Sequence, residues 1–182
     1  AIQVGDANKV RLLLKAGVPA GHTTDRSSFA QQAARHGNVE ILDILIDAGA
    51  TLDGTLLIPA LYSSSSVRDT VVRKVLDAAK PSTDELNHAL MRAVEDSSLE
   101  VVQMILEAGA DYSFTDKSRS TPLLQAVYFD NEAAATLLLK QGADPWQRVP
   151  HEDFYKLTIH EVAQAKGMTA FLQALASCAP ST

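Results

Sequence analysis

The sequence predicts an all-α fold, a solenoid of stacked helix–turn–helix units with loops projecting between them. Three observations lead there. First, the stretch Leu137-Leu138-Leu139-Lys140-Gln141-Gly142-Ala143-Asp144 returns as Ile105-Leu106-Glu107-Ala108-Gly109-Ala110-Asp111, as Leu45-Ile46-Asp47-Ala48-Gly49-Ala50 and as Leu13-Leu14-Lys15-Ala16-Gly17-Val18. A period of about 33 residues with this content marks a helical repeat array. Second, apolar residues within the repeated stretch, such as Val101, Val102, Ile105 and Leu106, fall at the spacing that builds one buried helical face. Third, a glycine such as Gly109 or Gly142 follows, supplying the left-handed residue that ends a helix.

Taken in order, the turn inside each unit falls at Gly5, Gly37, Val67, Ser97, Asp130 and Gly167, with spacings of 32, 30, 30, 33 and 37 residues. The second helix of each unit ends twelve residues later, at Gly17, Gly49, Ala79, Gly109, Gly142 and Ala179. The units are then residues 1–23, 24–53, 54–83, 84–116, 117–153 and 154–182 of a single repeat domain. The first opens midway through a helix and without an initiator Met, so the chain reads as a piece of a longer protein. Small residues at Ala33, Ser63, Ala93, Ala126 and Ala163 suit the close approach of two helices. In the third unit Val67 and Ala79 stand where glycine is usual, and a β-branched residue resists positive φ. That unit is expected to stack with altered turns, its second helix stopped by Pro81. In the fifth, the Thr121 hydroxyl caps a helix whose first position, Pro122, needs no N–H. The last helix has one apolar side (Met168, Phe171, Leu172, Leu175) and suits a terminal cap, whereas Val10, Leu13 and Leu14 leave an apolar surface at the other end.

The run Thr121-Pro122-Leu123-Leu124-Gln125-Ala126-Val127, with the Gly-Ala-Asp stretches above, resembles the ankyrin repeat over nearly the whole chain. The resemblance implies an ankyrin-repeat solenoid with finger loops that binds a protein or peptide through its concave side. It also implies which residues face the partner. Those preceding each turn are Arg35 and His36, Ser65 and Ser66, Glu95 and Asp96, Tyr128 and Phe129, and Ala165 and Lys166. The matching finger positions are Thr24, Asp25 and Ser27; Gly54, Thr55 and Leu57; Asp84, Glu85 and Asn87; Lys117, Ser118 and Ser120; and Phe154, Tyr155 and Leu157. One departure is the family's inner-helix histidine, whose place is taken by Gln31, Leu61, Met91, Leu124 and Glu161.

Among these positions Tyr128, Phe129, Phe154 and Tyr155 are aromatic where the family pattern is polar and variable. Aromatics lose little entropy on binding and are enriched at hot spots; the alternative is that the loop between the last two units covers them. An acidic set, Asp84, Glu85, Glu95 and Asp96, reads as adjoining, and a carboxylate beside an aromatic favours a cationic partner such as a basic peptide. The bland alternative is a solvated face. The loop 144–153 is about four residues longer than a usual finger and carries Trp146, the sole tryptophan. It is either part of the binding face or a lid on the last unit.

The charge balance, 16 Lys and Arg against 22 Asp and Glu with no basic run, argues against nucleic acid or an anionic membrane as partner. No stretch approaches the roughly 18–20 apolar residues of a membrane span. The single cysteine, Cys178, permits no internal disulfide, and an intracellular setting, cytoplasmic or nuclear, is expected. No catalytic, cofactor or metal motif stands out: His160-Glu161 opens like a zinc helix, but the residue four after His160 is Gln164. A non-catalytic recognition module is the leading reading. The alternatives are a small-molecule or catalytic solenoid with a pocket under loop 144–153, and a regulatory spacer within a larger protein.

Overall fold

Eleven helices are formed among the residues that the computed structural model describes, which are residue 2 and residues 4–23, 27–150 and 157–178. They are α1 (Ala7–Lys15), α2 (Phe29–Arg35), α3 (Val39–Asp47), α4 (Leu57–Leu61), α5 (Ser65–Ala79), α6 (Thr83–Asp96), α7 (Leu99–Glu107), α8 (Pro122–Tyr128), α9 (Glu132–Lys140), α10 (Ile159–Ala165) and α11 (Thr169–Cys178). A single 3₁₀ turn, Gly54–Leu56, precedes α4. No β-strand occurs among the described residues, only isolated antiparallel bridges joining Thr23 to Ser28 and Arg148 to Thr158. The chain divides into two compact units, Ala1–Ala89 and Leu90–Thr182.

Side chains from one turn earlier fix where most helices begin. The Thr121 hydroxyl accepts the Leu124 amide at 3.3 Å, with Pro122 at the first turn of α8 as expected. Ser28 with Gln31, and Thr158 with Glu161, form reciprocal capping boxes at α2 and α10. The start of α11 is served from another helix: Glu132 of α9 accepts the Ala170 and Phe171 amides at 2.6 and 3.2 Å.

In the first unit α2 pairs with α3 and α4 with α5, and α1 and α2 lie against α3 and α4. Its core is Val10, Ala33, Ile41, Leu42, Leu45, Leu57, Leu61, Val71 and Val75. In the second, α8 pairs with α9 and α10 with α11, around Val101, Ile105, Leu123, Leu138, Ile159 and Phe171. The five small positions read from the sequence, Ala33, Ser63, Ala93, Ala126 and Ala163, are all buried. No residue larger than these suits a place where two backbones meet.

The helical pair of the third repeat, α4 with α5, corrects the sequence register. Val67 does not mark the turn; it lies inside α5, which runs for 15 residues against nine in α3, α7 and α9. The turn comes earlier, between Tyr62 at the end of α4 and Ser64 at the start of α5. Val67 instead packs on the preceding turn, where a Cβ on Gly37 would meet its Cγ2 at 2.5 Å. The left-handed residue after α5 is Lys80 (φ +44°), one beyond Ala79. At the other marks the reading holds for Gly5, Gly37, Asp130 and Gly167, all with positive φ.

The fourth pair has no projecting finger. Asp84, Glu85 and Asn87, expected in one, belong to α6, whose N-terminal dipole suits the two carboxylates. Glu85 accepts from the Ser82 amide and hydroxyl, both at 2.8 Å. Leu57, likewise expected in a finger, is fully buried at the start of α4.

Candidate functional site

The inner helices α2, α8 and α10 have seven residues each and α6 has 14, and their last turns carry the residues expected to face a partner. In the second unit α8 ends in Tyr128 and Phe129, which stay 38% and 45% exposed. Their rings meet edge to face with centroids 5.3 Å apart. Edge-to-face contact is a preferred arrangement of an aromatic pair. The Lys166 ammonium, at the end of α10, lies 5.8 Å from the Tyr128 ring centroid. It also donates to the Tyr128 carbonyl oxygen and to Asp130 Oδ1, each at 2.8 Å.

Glu95 and Asp96 end α6 in the same unit. Arg92, one turn back, donates to Glu95 at 2.6 Å and to Asp96 at 3.4 Å. Gln125 of α8 donates to Glu95 at 3.4 Å while accepting from the Ser120 hydroxyl of the finger, which ties the two inner helices together. Asn131 reinforces that tie by donating to the Val94 and Ser97 carbonyls. Lys117 is exposed at the finger tip, in a turn organised by Asp116, whose carboxylate accepts the Ser118 and Ser120 amides at 2.8 Å. Asp84 and Glu85 do not join Glu95 and Asp96: they occupy opposite ends of α6, roughly 15 Å apart at 1.5 Å per residue.

Arg35 and His36 lie in the first unit, exposed at the end of α2. The Arg35 guanidinium stands 5.3 Å from the centroid of the Tyr62 ring, which is 49% exposed. Tyr62, the C-cap of α4, is not among the positions read from the sequence. The register shift in the third pair assigned its place to Ser65 and Ser66, and the reluctance of Val67 to adopt positive φ was the signal that could have recovered it. Inter-repeat hydrogen bonding survives the loss of the histidine pattern. In the first unit Gln31 donates to the Thr55 hydroxyl at 3.0 Å.

Trp146 is 59% exposed, its ring 4.8 Å from that of His160. The loop is pinned here by backbone pairing, Val149 to Leu157 and Ile159 to Gln147, at 2.9 and 3.0 Å. Phe154 and Tyr155, with the rest of 151–156, lie outside the described residues, as do Thr24 and Asp25. Two cavities, of about 200 and 300 Å³, lie in the first unit, one beside α1 and Phe29 and the other between the loops at Gly21 and Thr51; residues 144–150 line neither.

Two carboxyls are held below their ordinary range. Glu161 is lowered by the Thr158 amide and then its hydroxyl, with smaller contributions from the positive charges of His160 and Arg148. Asp111 is lowered by the hydroxyl and then the amide of Ser113. Both are turn and cap interactions. Among the described residues no group of three or more His, Cys, Asp or Glu could hold a metal ion, and no helix is long and apolar enough to cross a membrane.

The comparisons agree with this architecture. The family model for ankyrin repeats (three copies) matches residues 60–149. YahD of Escherichia coli (strain K12), a protein named for its ankyrin repeats, is 30% identical over 96% of this chain and 92% of its own length. The chain belongs to the ankyrin repeat family. It is also 31% identical, over 74% of its length, to an ankyrin repeat and KH domain-containing protein of Caenorhabditis briggsae, of which it spans only 5%. Among solved structures, the ankyrin repeat protein EF0377 superimposes with a TM-score of 0.74 at 25% identity, over 97% of this chain and 94% of that one. The ankyrin repeat solenoid expected from the sequence is therefore the fold.

Proposed function

We propose that this chain is a non-catalytic recognition module that holds a protein or peptide segment against the ends of its inner helices in the second unit. Ankyrin repeats generally mediate protein–protein interaction. The observation that supports the placement is the Tyr128–Phe129 pair, two large rings packed edge to face yet well exposed. Internal packing would have covered them; a partner gains the apolar contact that remains open. Glu95 and Asp96 share Arg92, and the two carboxylates against one guanidinium leave net negative charge toward a basic segment, with Lys117 at the neighbouring finger. Arg35 and His36 form a second contact surface, and Trp146 a third.

The test is selection of peptides on the whole chain from a randomised display library, followed by affinity measurement on the Tyr128→Ala/Phe129→Ala variant. Loss of true anchors removes at least about 2 kcal/mol, roughly 30-fold in affinity. A basic segment further predicts weaker binding at raised salt. Unchanged affinity in a variant of unchanged thermal stability would show the anchors to be misplaced.

A further inference from the structure

The environment of Lys166 has the chemistry of a ligand site. One nitrogen faces a carbonyl oxygen and a carboxylate oxygen at the same 2.8 Å distance, with a tyrosine ring beside it. All three recognising groups come from the short segment Tyr128–Asp130, and the cation they hold is 36 to 38 residues away in sequence. Two acceptors converging on one nitrogen suit a compact ammonium with three donors rather than the planar fork of a guanidinium. The segment is also built to present them. Asp130 takes φ +61°, the left-handed turn that separates α8 from α9 and places its carboxylate beside the Tyr128 carbonyl.

The resident cation is not locked in. The Lys166 side chain keeps 21% of its surface in solvent and Asp130 keeps 69%, so water screens the pair and competes for it. Leaving would unwind no helix, because Lys166 follows α10 as its C-cap residue. Arg92 at Glu95 differs, since it pairs within its own helix, one turn away.

We propose that the segment Tyr128–Asp130 is a binding site for a primary ammonium, such as a partner's lysine side chain, and that Lys166 closes it in the free protein. The partner lysine enters by exchange with Lys166, while Phe129 offers apolar contact alongside. This rests on the placement of the partner at the end of α8, and it names the group that lands there. A site closed about nine-tenths of the time binds about tenfold more weakly than its open form.

The site is tested without any partner. The Tyr128 ring and Asp130 resonances are followed by NMR in the wild-type chain and in Lys166→Ala during titration with butylammonium chloride. Tetramethylammonium chloride and sodium chloride at matched ionic strength are the controls. The expected result is a saturable shift at both residues in Lys166→Ala, at least about tenfold weaker in the wild type. Tetramethylammonium, which has no N–H to donate, should act more weakly than butylammonium. Equal response in the two proteins, or no saturable shift at Tyr128 in the variant, would overturn the exchange. Lys166→Ser replaces the alanine variant if that one loses its folded spectrum. Failure here leaves peptide recognition at Tyr128 and Phe129 standing, since that is read by display selection and by the double alanine variant.

Discussion

The third repeat, α4 with α5, and the fifth, α8 with α9, solve one problem in different ways. The fifth follows the repeat pattern: Thr121 caps, Pro122 starts, Asp130 turns, and Gly142 (φ +103°) ends it. The third has no Thr-Pro start, turns without a left-handed residue, lengthens its outer helix to 15 residues, and ends on Lys80. Both nevertheless bury a small residue, Ser63 in the turn after α4 or Ala126 within α8, and their outer-helix stripe. The packing surface is therefore the invariant, and turn chemistry is one of several ways to deliver it.

The largest expected effect lies where the two solutions meet a neighbour. Gly37→Ala forces a side chain onto φ +71° and drives its methyl into Val67, and should destabilise by about 3 kcal/mol in denaturant unfolding. At Gly109, where no atom lies within 4 Å of the added carbon, the same change should cost about 1 kcal/mol. Val67→Ala on the Gly37→Ala background should recover the clash and leave the backbone cost. A non-additive double-mutant cycle checks this. Equal losses at Gly37 and Gly109 would break the comparison, because α5 would then not be leaning on the turn before it.

Next is the exchange of helix ends. Lys80→Gly should stabilise by about 1 kcal/mol by relieving a left-handed lysine, and Gly142→Lys should destabilise by at least as much, with Tyr112 only 3.4 Å from the new carbon. Thermal unfolding of both variants reads the pair. The fifth pair also carries a flaw of its own. Thr136 Oγ1 is buried without a hydrogen-bond partner, so Thr136→Val should gain about 0.5–1 kcal/mol.

The smallest effect is electrostatic. The folded pKa of Glu161 is depressed, so its contribution is present above the ordinary glutamate value and lost as pH falls through the depressed one. Thr158→Val removes the hydroxyl, and NMR titration should show the Glu161 midpoint rising toward the ordinary value while the amide contribution persists.

The fold was legible because it is written locally. Apolar spacing, helix-ending glycines and most caps lie within one repeat, and Thr121, Pro122 and Gly142 act as their positions predict. The site was legible only in part. Tyr128 and Phe129 stood out because aromatics are unusual there. The engagement of Tyr128 by Lys166 spans 38 residues, and no local pattern announces it. Tyr62 was lost to a mark set at Val67, and the acidic set was split because α6 extends through the expected finger.

Glu132 leaves the last repeat incomplete by itself. Its carboxylate, fixed to α9, accepts the opening amides of α11, so the instruction to begin the final helix is stored one repeat upstream. A transplanted α10–α11 hairpin would carry its apolar face but not its own start signal. The last repeat is thus punctuated by its neighbour, and moving it alone would cost its start signal before it disturbed the core.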